Sequence, residues 1–451
     1  MTGGEVRDSF VSYRATLQRF NNLTVPRLNV FPGPAILPEM ISARVVVAGG
    51  GAAGFFAAIT CASHAPGTEV ILLEKGSHFL TKVRISGGGR CNVTHGCFDA
   101  TELSARYPRG AQALLAPFRV FQASDTVAWF EARGVKLKTE SDGRMFPISD
   151  SSQTIIDCLV HEARTAGVKL LTNHGLERVT RRAQGGFDLT LASGETLACD
   201  RLLLATGGCR APVGGQLAVS LGHMLQPPVP SLFTFHIETP WLRALAGISV
   251  DSVEASVPGA RLRERGALLV THWGVSGPVI LRLSAWGART LHRLDYQFPL
   301  QLNWLPRLNA EAIAAELHAR RKAQPARLIV NTPLQTLPNR LWEQLVLTAG
   351  IARQTRWAEI ARPDQHSLIQ QLLRTELRVT GKSLNKEEFV TCGGVPLAEV
   401  NFKTMESRIC PGLYFAGELL DVDGITGGFN FQAAWTTGWI AGKAMGMAND
   451  R

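Results

Sequence analysis

The sequence predicts an α/β fold in which a parallel sheet carrying a dinucleotide-binding turn is interrupted by a β-rich and helical insert. Three observations predict it. Residues 43–54, ARVVVAGGGAAG, set a buried strand directly before Gly-x-Gly-x-x-Gly. Residues 201–208, RLLLATGG, and 412–418, GLYFAGE, read as further buried strands ending in glycine. Between these two, over 226–389, the apolar pattern changes character.

The first stretch has a physical reading at each position. Gly49 allows the tight turn, Gly51 lets the backbone approach phosphates, and Gly54 packs helix on strand, so amides at the positive helix end face an anion. Phe55 to Ala62 continues as an apolar helix and Thr68 to Leu73 as a second strand. Glu74 then stands twenty residues beyond Gly54, where a carboxylate that accepts from an adenosine ribose is expected.

Composition sets the outer bounds. With 451 residues, 45% hydrophobic and 19% charged, the chain can build two or three domains. It has no apolar run near the roughly 18 residues of a membrane span and no signal-peptide pattern, so a cytoplasmic location without membrane contact is expected. The eight cysteines form no C-x-x-C pair and no zinc spacing, so no metal site is expected. Of the net charge of +10, most lies in 226–389, which holds 20 Lys and Arg against 13 Asp and Glu. These arginines are scattered along the sequence without interleaved aromatics. A solvated basic face is therefore favoured over a nucleic-acid surface, with a small-molecule substrate as the expected partner and an attraction for anionic substrates left open. Nothing in the sequence addresses the oligomeric state.

Residues 1–39 carry prolines and no motif, and Met40 immediately precedes the first strand. They are expected to be a disordered leader or a mis-assigned start. After Glu74, the stretch KGSHFLTKVRISGGGRCNVTH is too glycine-rich at Gly87 to Gly89 for helix or strand, so its backbone can approach something flat and large. Lys82, Arg84 and Arg90 add charge there, and Asn92 an amide that donates and accepts. A helix capped at Ser124 or Asp125 runs to Ala132, a strand covers Val135 to Thr139, and a helix runs from about Ser152 to Thr165. Another strand is expected at Val168 to Leu171. Leu176 to Arg181, Phe187 to Leu191 and Thr196 to Cys199 then read as a β-meander.

The insert divides into an antiparallel part, 226–305, and a helical part, 306–380, with helices expected over Ala310 to Lys322, Arg340 to Ala349 and Pro363 to Glu376. The nucleotide-binding domain is thus discontinuous, 41–225 and 390–447. Its last segment closes with Gly427-Gly428 before an apolar helix from Phe429.

Taken together, GGGAAG (49–54), SGGGRCNVT (86–94), GRMFP (143–147), ATGG (205–208), THWGVSGP (271–278), CGGV (392–395), TMES (404–407) and GLYFAGELLDVDGITGGFNFQAAW (412–435) resemble the FAD-binding flavoprotein family of aminoacetone oxidase and bile-acid 4,6-reductase, the BaiN-like NAD(P)/FAD-dependent oxidoreductases. The motifs run in order over about 43–446, and the leader falls outside them. The resemblance implies a glutathione-reductase-like, discontinuous FAD domain with an inserted substrate domain, and FAD held noncovalently. It implies that Gly49, Gly51, Ala53 and Gly54 hold the pyrophosphate, that Glu74 with Lys75 beside it meets the adenosine ribose, and that Val179 offers backbone groups to adenine. Lys82 and the run Ser86, Gly87, Gly88, Arg90, Cys91 and Asn92 would wrap the flavin side, and Thr206-Gly207 would lie near the adenosine half. Gly417-Glu418 would meet the ribityl chain and diphosphate. Gly427, Gly428, Phe429 and Asn430 would bring helix amides to the N1 and O2 end of the isoalloxazine, where a positive helix end stabilises the reduced anion.

No second strand–GxGxxG–helix unit and no redox cysteine pair is present, so NAD(P)H is expected as a transient donor, unless the substrate reduces the flavin directly. No catalytic residue is assigned: a buried structural role is favoured for Cys91, a turn-securing role for His272 and Ser276, and pairing across a bend for Asp142 and Arg144. The leading reading is an FAD-dependent oxidoreductase of a small organic molecule. Its alternatives are a flavin amine oxidase that makes hydrogen peroxide and a non-catalytic redox-sensing or RNA-associated flavoprotein.

Overall fold

The computed structural model describes residues 43–209, 212–335, 337–383 and 390–447, and the leader expected over 1–39 lies outside them. The protein is built on a seven-stranded sheet in the order Val400–Asn401, Glu406–Ser407, Leu413–Phe415, Arg201–Leu204, Arg44–Ala48, Glu69–Leu73 and Lys169–Leu171. The five strands from Leu413–Phe415 to Lys169–Leu171 run parallel, with Val46 opposite both Leu202 and Ile71. Val45, Val46, Val47, Leu202, Leu203 and Leu204 are fully buried, which is why these strands read as unbroken apolar runs rather than alternating ones.

Helix Ala52–His64 follows the first strand and packs on the long final helix Phe429–Met447. Glycine makes that contact. A Cβ at Gly438 or Gly442 would collide with the carbonyl oxygens of Ala53 and Ala57, and one at Gly446 would lie 3.0 Å from His64 Cβ. A stripe of small residues four apart lets the two backbones touch. The expected meander is present, with Leu176–Arg181, Phe187–Leu191 and Thr196–Cys199 paired antiparallel.

The segment between these parts closes into a six-stranded antiparallel barrel in the order Thr234–Ile237, Gly274–Ser276, Leu262–Thr271, Ser249–Val257, Phe298–Asn303 and Thr375–Ser383. Phe235, Val253, Leu268, Leu300 and Val379 fill it. Three helices, Ala310–Ala323, Asn339–Thr348 and Arg362–Arg374, share its core. They pack around Trp304, Trp342 and Trp357, whose indole N–H groups donate to Thr375 Oγ1 (2.7 Å), the Ile329 carbonyl (2.7 Å) and Thr332 Oγ1 (2.8 Å).

Three expectations are corrected, and one is sharpened. The helical part stops at Arg374, because Thr375–Ser383 returns to close the barrel: its alternating residues Thr375, Leu377 and Val379 point inward while Glu376 and Arg378 face out. The antiparallel part contains a short helix, Pro240–Arg243, and two further helices, Pro278–Trp286 and Ala288–Arg293, opened by Gly277-Pro278 and by Gly287. The loop expected at Gly87 to Gly89 is present and is preceded by a helical turn from Thr81 that breaks at Ser86, where ψ turns to 148°. The cap before Ala123–Glu131 is Gln122, with Asp125 closing the capping box.

The chain passes between the parallel sheet and the barrel twice, and the two passages lie side by side as an antiparallel pair, Gln226–Ser231 with Val390–Gly394.

Candidate functional site

The glycine turn forms as the sequence requires. Gly49 sits at φ +119°, and a Cβ at Gly54 would collide with the Gly49 carbonyl. Gly51 caps helix Ala52–His64 in extended backbone without a side-chain hydrogen bond, and the first turn holds no acid. A Cβ built on Gly51 meets nothing within 4 Å. The helix end therefore opens on space that an anion can fill.

Around this opening stand the other elements at the carboxyl end of the sheet. Gly417, at φ +72°, lies where a Cβ would be 3.0 Å from Ala53 Cβ, and its N–H donates to Thr437 Oγ1 at 3.0 Å. Glu418 accepts from the Thr391 N–H at 2.8 Å and pairs with Lys82. A Cβ on Gly208 would crowd Glu418 Oε1 at 2.7 Å, whereas Gly207, at φ +79°, faces open space. Thr206 Oγ1 is buried and has no hydrogen-bond partner. Gly51, Ala53, Lys82, Thr206, Gly207, Gly417 and Glu418 are thus brought together. An uncapped helix end, an orphaned hydroxyl and glycines that border open space fit the diphosphate and sugar portion of a flavin dinucleotide.

At the far side, Glu74 Oε2 accepts from the Gly50 N–H at 3.0 Å and Oε1 from the Gly76 N–H at 2.8 Å. The His174 N–H donates to the Glu74 carbonyl at 2.9 Å, and a Cβ on Gly175 would touch Lys75 Cβ at 3.0 Å. The residues beside Glu74 and Lys75 are therefore His174 and Gly175. Val179 lies farther along its strand, paired with Leu189, and lines a separate hollow of about 360 Å³ with Ser220, Leu221 and Ile409.

The second glycine loop bends sharply, with Gly87, Gly88, Gly89 and Cys91 all at positive φ. Gly88 and Gly89 border open space, and a Cβ at Gly87 would meet Phe146 at 2.9 Å. The Arg90 guanidinium stacks 4.0 Å from the Phe146 ring centre and pairs with Glu140 at 2.7 Å and Asp150 at 3.5 Å. Cys91 is fully buried, and burial pushes its thiol up to about 12 despite a hydrogen bond with Ser86. It is a neutral packing group there, not a nucleophile.

This loop is joined to the last motif. The Asn92 amide oxygen accepts from the Gly428 N–H at 3.0 Å, and its nitrogen donates to the Thr94 carbonyl at 3.1 Å. The Asn430 side chain braces the turn before it, accepting from the Gly424 N–H at 2.8 Å and donating to the Gly424 carbonyl at 3.0 Å. The buried Tyr107 hydroxyl donates to the Phe429 carbonyl at 2.6 Å. The expectation that the amides around Gly428 face a flavin narrows accordingly, since the Gly428 N–H is already engaged by Asn92.

Two groupings were not read from the sequence. His95 stacks on Phe429 at 4.7 Å, and its Nε2 lies 3.1 Å from the Asp142 carbonyl, which can only accept, so the proton sits on Nε2. Its Nδ1 is buried without a partner, and burial holds the imidazole below its ordinary 6.5. The one available signal was its place two residues after the SGGGRCNV run. The second grouping is Arg109, which donates to Asp423 through two nitrogens and to the Ala285 carbonyl at 2.5 Å, while Ser231 Oγ donates to Asp423 at 2.7 Å. It ties the last motif to the passage strand and to a helix of the barrel unit. Arg289 reinforces this through Asp421 at 2.7 Å.

Arg144 binds Asp142 across its bend at 2.7 Å, as expected. Ser276 Oγ instead pairs with Thr234 Oγ1 of the neighbouring barrel strand at 2.9 Å, and the His272 backbone carbonyl accepts from Arg243 at 3.1 Å. Among the described residues, no helix is long and apolar enough to cross a membrane.

Residues 43–444 match the family model described as HI0933-like protein Rossmann domain. The chain is 32% identical to the ribosomal RNA dihydrouridine synthase of Escherichia coli, over 88% of this chain and 96% of that protein. It is 29% identical to the 3-dehydro-bile acid delta(4,6)-reductase of Clostridium scindens, over 89% of this chain and 98% of that protein. A ribosomal RNA dihydrouridine synthase of Haemophilus influenzae is also 29% identical, over 87% and 96%.

Proposed function

The chain belongs to the HI0933-like Rossmann family, and from that premise we propose that it is an FAD-dependent oxidoreductase that reduces a carbon–carbon double bond conjugated to a carbonyl. The observation that carries this reading is the near full-length similarity to a delta(4,6)-reductase and to dihydrouridine synthases. Their names describe one chemistry. A 3-oxo diene and the C5=C6 bond of uracil are both alkenes polarised by a ring carbonyl, and each takes up a hydride at the far carbon and a proton at the near one.

FAD, when bound, supplies the hydride, and NAD(P)H is the donor that returns two electrons between turnovers. The residues of this chain hold and orient. Gly51 and Ala53 take the diphosphate, Glu74 and Lys75 the adenosine end, Thr206, Gly207 and Glu418 the sugar and ribityl portion, and the Ser86–Asn92 loop with the Phe429 helix end the ring. The insert, 226–389, covers the ring and keeps water from it, as hydride chemistry needs. All eight cysteines are unpaired, in keeping with a reducing, cytoplasmic compartment.

Of the two substrate types, uracil within a folded RNA is the reading we favour, since two relatives carry that name and one shares 32% identity. The test is anaerobic. The yellow protein should be bleached by NADH or NADPH and then reoxidised by a uridine-containing ribosomal RNA, with dihydrouridine found by mass spectrometry of its nucleosides. Reoxidation by a conjugated steroid enone and not by RNA would move the substrate to a small molecule. Peroxide release from amines without any NAD(P)H step would replace the reductase by an oxidase.

A further inference from the structure

Two basic segments of the insert, separate in the sequence, are joined in the fold. Exposed residues 321–327, RKAQPAR, lie alongside residues 353–362. The Trp357 N–H donates to the Arg327 carbonyl at 3.0 Å, the Ala358 N–H to the Pro325 carbonyl at 2.9 Å, and Leu328 bridges Arg356. Arg321 seals the seam by donating to the carbonyls of Ala358 at 3.0 Å and Ile360 at 3.4 Å. Arg321, Lys322, Arg327, Arg356 and Arg362 are all exposed and stand in or directly beside these adjoining segments of the helical unit.

None of these five is in an ion pair among the described residues, whereas the neighbouring Arg320 and Arg353 are neutralised by Glu316 and Glu343. The acids close by are Glu359, whose carboxylate accepts from the Arg356 backbone N–H at 3.1 Å, and Asp364 two residues past Arg362. The surface is strongly positive. No large apolar side chain in either segment is exposed, and Trp357 is fully buried, so it offers neither a wedge for a lipid surface nor a platform on which bases could stack. What remains is recognition of closely spaced phosphates by arginine and lysine.

We propose that this surface, Arg321, Lys322, Arg327, Arg356 and Arg362, binds the phosphate backbone of the folded RNA that carries the substrate base. The proposal rests on the RNA reading given above and adds to it where the RNA is gripped. Such contacts position the nucleic acid and carry no base information; selection of the uridine belongs to the flavin site. Arg321 also holds the seam, so it is left intact in the test.

The test uses the full-length, FAD-loaded protein and protein-free ribosomal RNA, with binding measured between roughly 0.05 and 0.3 M salt. The variant Arg327→Ala/Arg356→Ala/Arg362→Ala is expected to bind at least about tenfold more weakly at the low end and to show a log–log salt slope shallower by about 2–3. Its flavin content and rate of bleaching by NAD(P)H should match the parent. An unchanged affinity and slope would overturn the assignment, as would loss of binding to phosphatidylserine vesicles with RNA binding intact. Dihydrouridine formation in the same RNA is scored separately: a parent protein that binds through these residues but reduces no uridine refutes the substrate reading and upholds the surface.

Discussion

Asn92 and Gly428 are hydrogen-bonded to each other, the amide oxygen of one accepting the N–H of the other at 3.0 Å. The contact fastens the glycine loop to the start of the last helix, the two elements expected to flank a flavin ring. Asn92→Ala leaves the Gly428 N–H and the Thr94 carbonyl without that partner, a cost of about 1–3 kcal/mol, and should lower both the melting temperature and FAD affinity. Gly428→Val should do more, because its φ of +92° disfavours a side chain and a Cβ there would press on the Thr94 carbonyl at 2.5 Å. We expect a protein that folds but releases FAD on gel filtration, measured by flavin-to-protein absorbance. A Gly428→Val protein that retains full flavin would show that this helix start does not face the cofactor.

The Arg109–Asp423 pair predicts strong coupling between the parallel-sheet unit and the barrel. Asp423 is fully buried, and desolvation pushes its carboxyl above the ordinary range against the pull of Arg109. Arg109→Met should destabilise by about 3–5 kcal/mol, since it strands a buried carboxylate, and adding Asp423→Asn should recover part of the loss. Chemical denaturation of the three variants closes the cycle; strictly additive effects would refute the coupling.

Glu69 gives a pH dependence of definite sign. Hydrogen bonds from Lys169 and then Arg44 hold its carboxyl below the ordinary 4.5. A depressed folded value contributes stability that is present above 4.5 and lost as pH falls through the folded value. Glu69→Gln should therefore melt lower than the parent near neutrality, by about a degree or two given the exposure of its partners, and the gap should close as pH drops below about 4. A constant gap from pH 7 to pH 3.5 would contradict this.

The thiols give a titration. Seven cysteines are buried and Cys158 is partly exposed, and burial raises Cys61, Cys91 and Cys199 to about 12. Burial also raises Cys158, to about 11, so Ellman's reagent should react slowly with about one thiol in the native protein and rapidly with all eight in denaturant. Rapid modification of Cys91 with loss of flavin bleaching would place that thiol in the chemistry.

The parallel strands and the glycine turn were legible because their signal is local: a strand buried on both faces is apolar throughout, and the turn needs glycine at fixed spacing. The return of Thr375–Ser383 to the barrel was hidden because its alternation starts in the residue after an amphipathic helix, and only pairing with Phe298–Asn303 makes it a strand. Gly175 lies beside Lys75, and Arg327 beside Trp357, through contacts that no short pattern encodes. His95 was visible as a residue but not as a site, since its unpaired Nδ1 exists only once Asp142 and Phe429 surround the ring.

The side-by-side passage strands impose an order on synthesis. Arg201–Leu204 must wait for Leu413–Phe415 to cover its open edge, and about 200 residues leave the ribosome in between, roughly 10–40 s at usual elongation rates. During that interval the barrel and its helices can complete their own core, and their two ends, held together by Gln226–Ser231 and Val390–Gly394, deliver the late strand to the waiting edge. A slowly folding barrel would leave that edge bare, and the nascent chain would then be most prone to aggregate before its last motif is made.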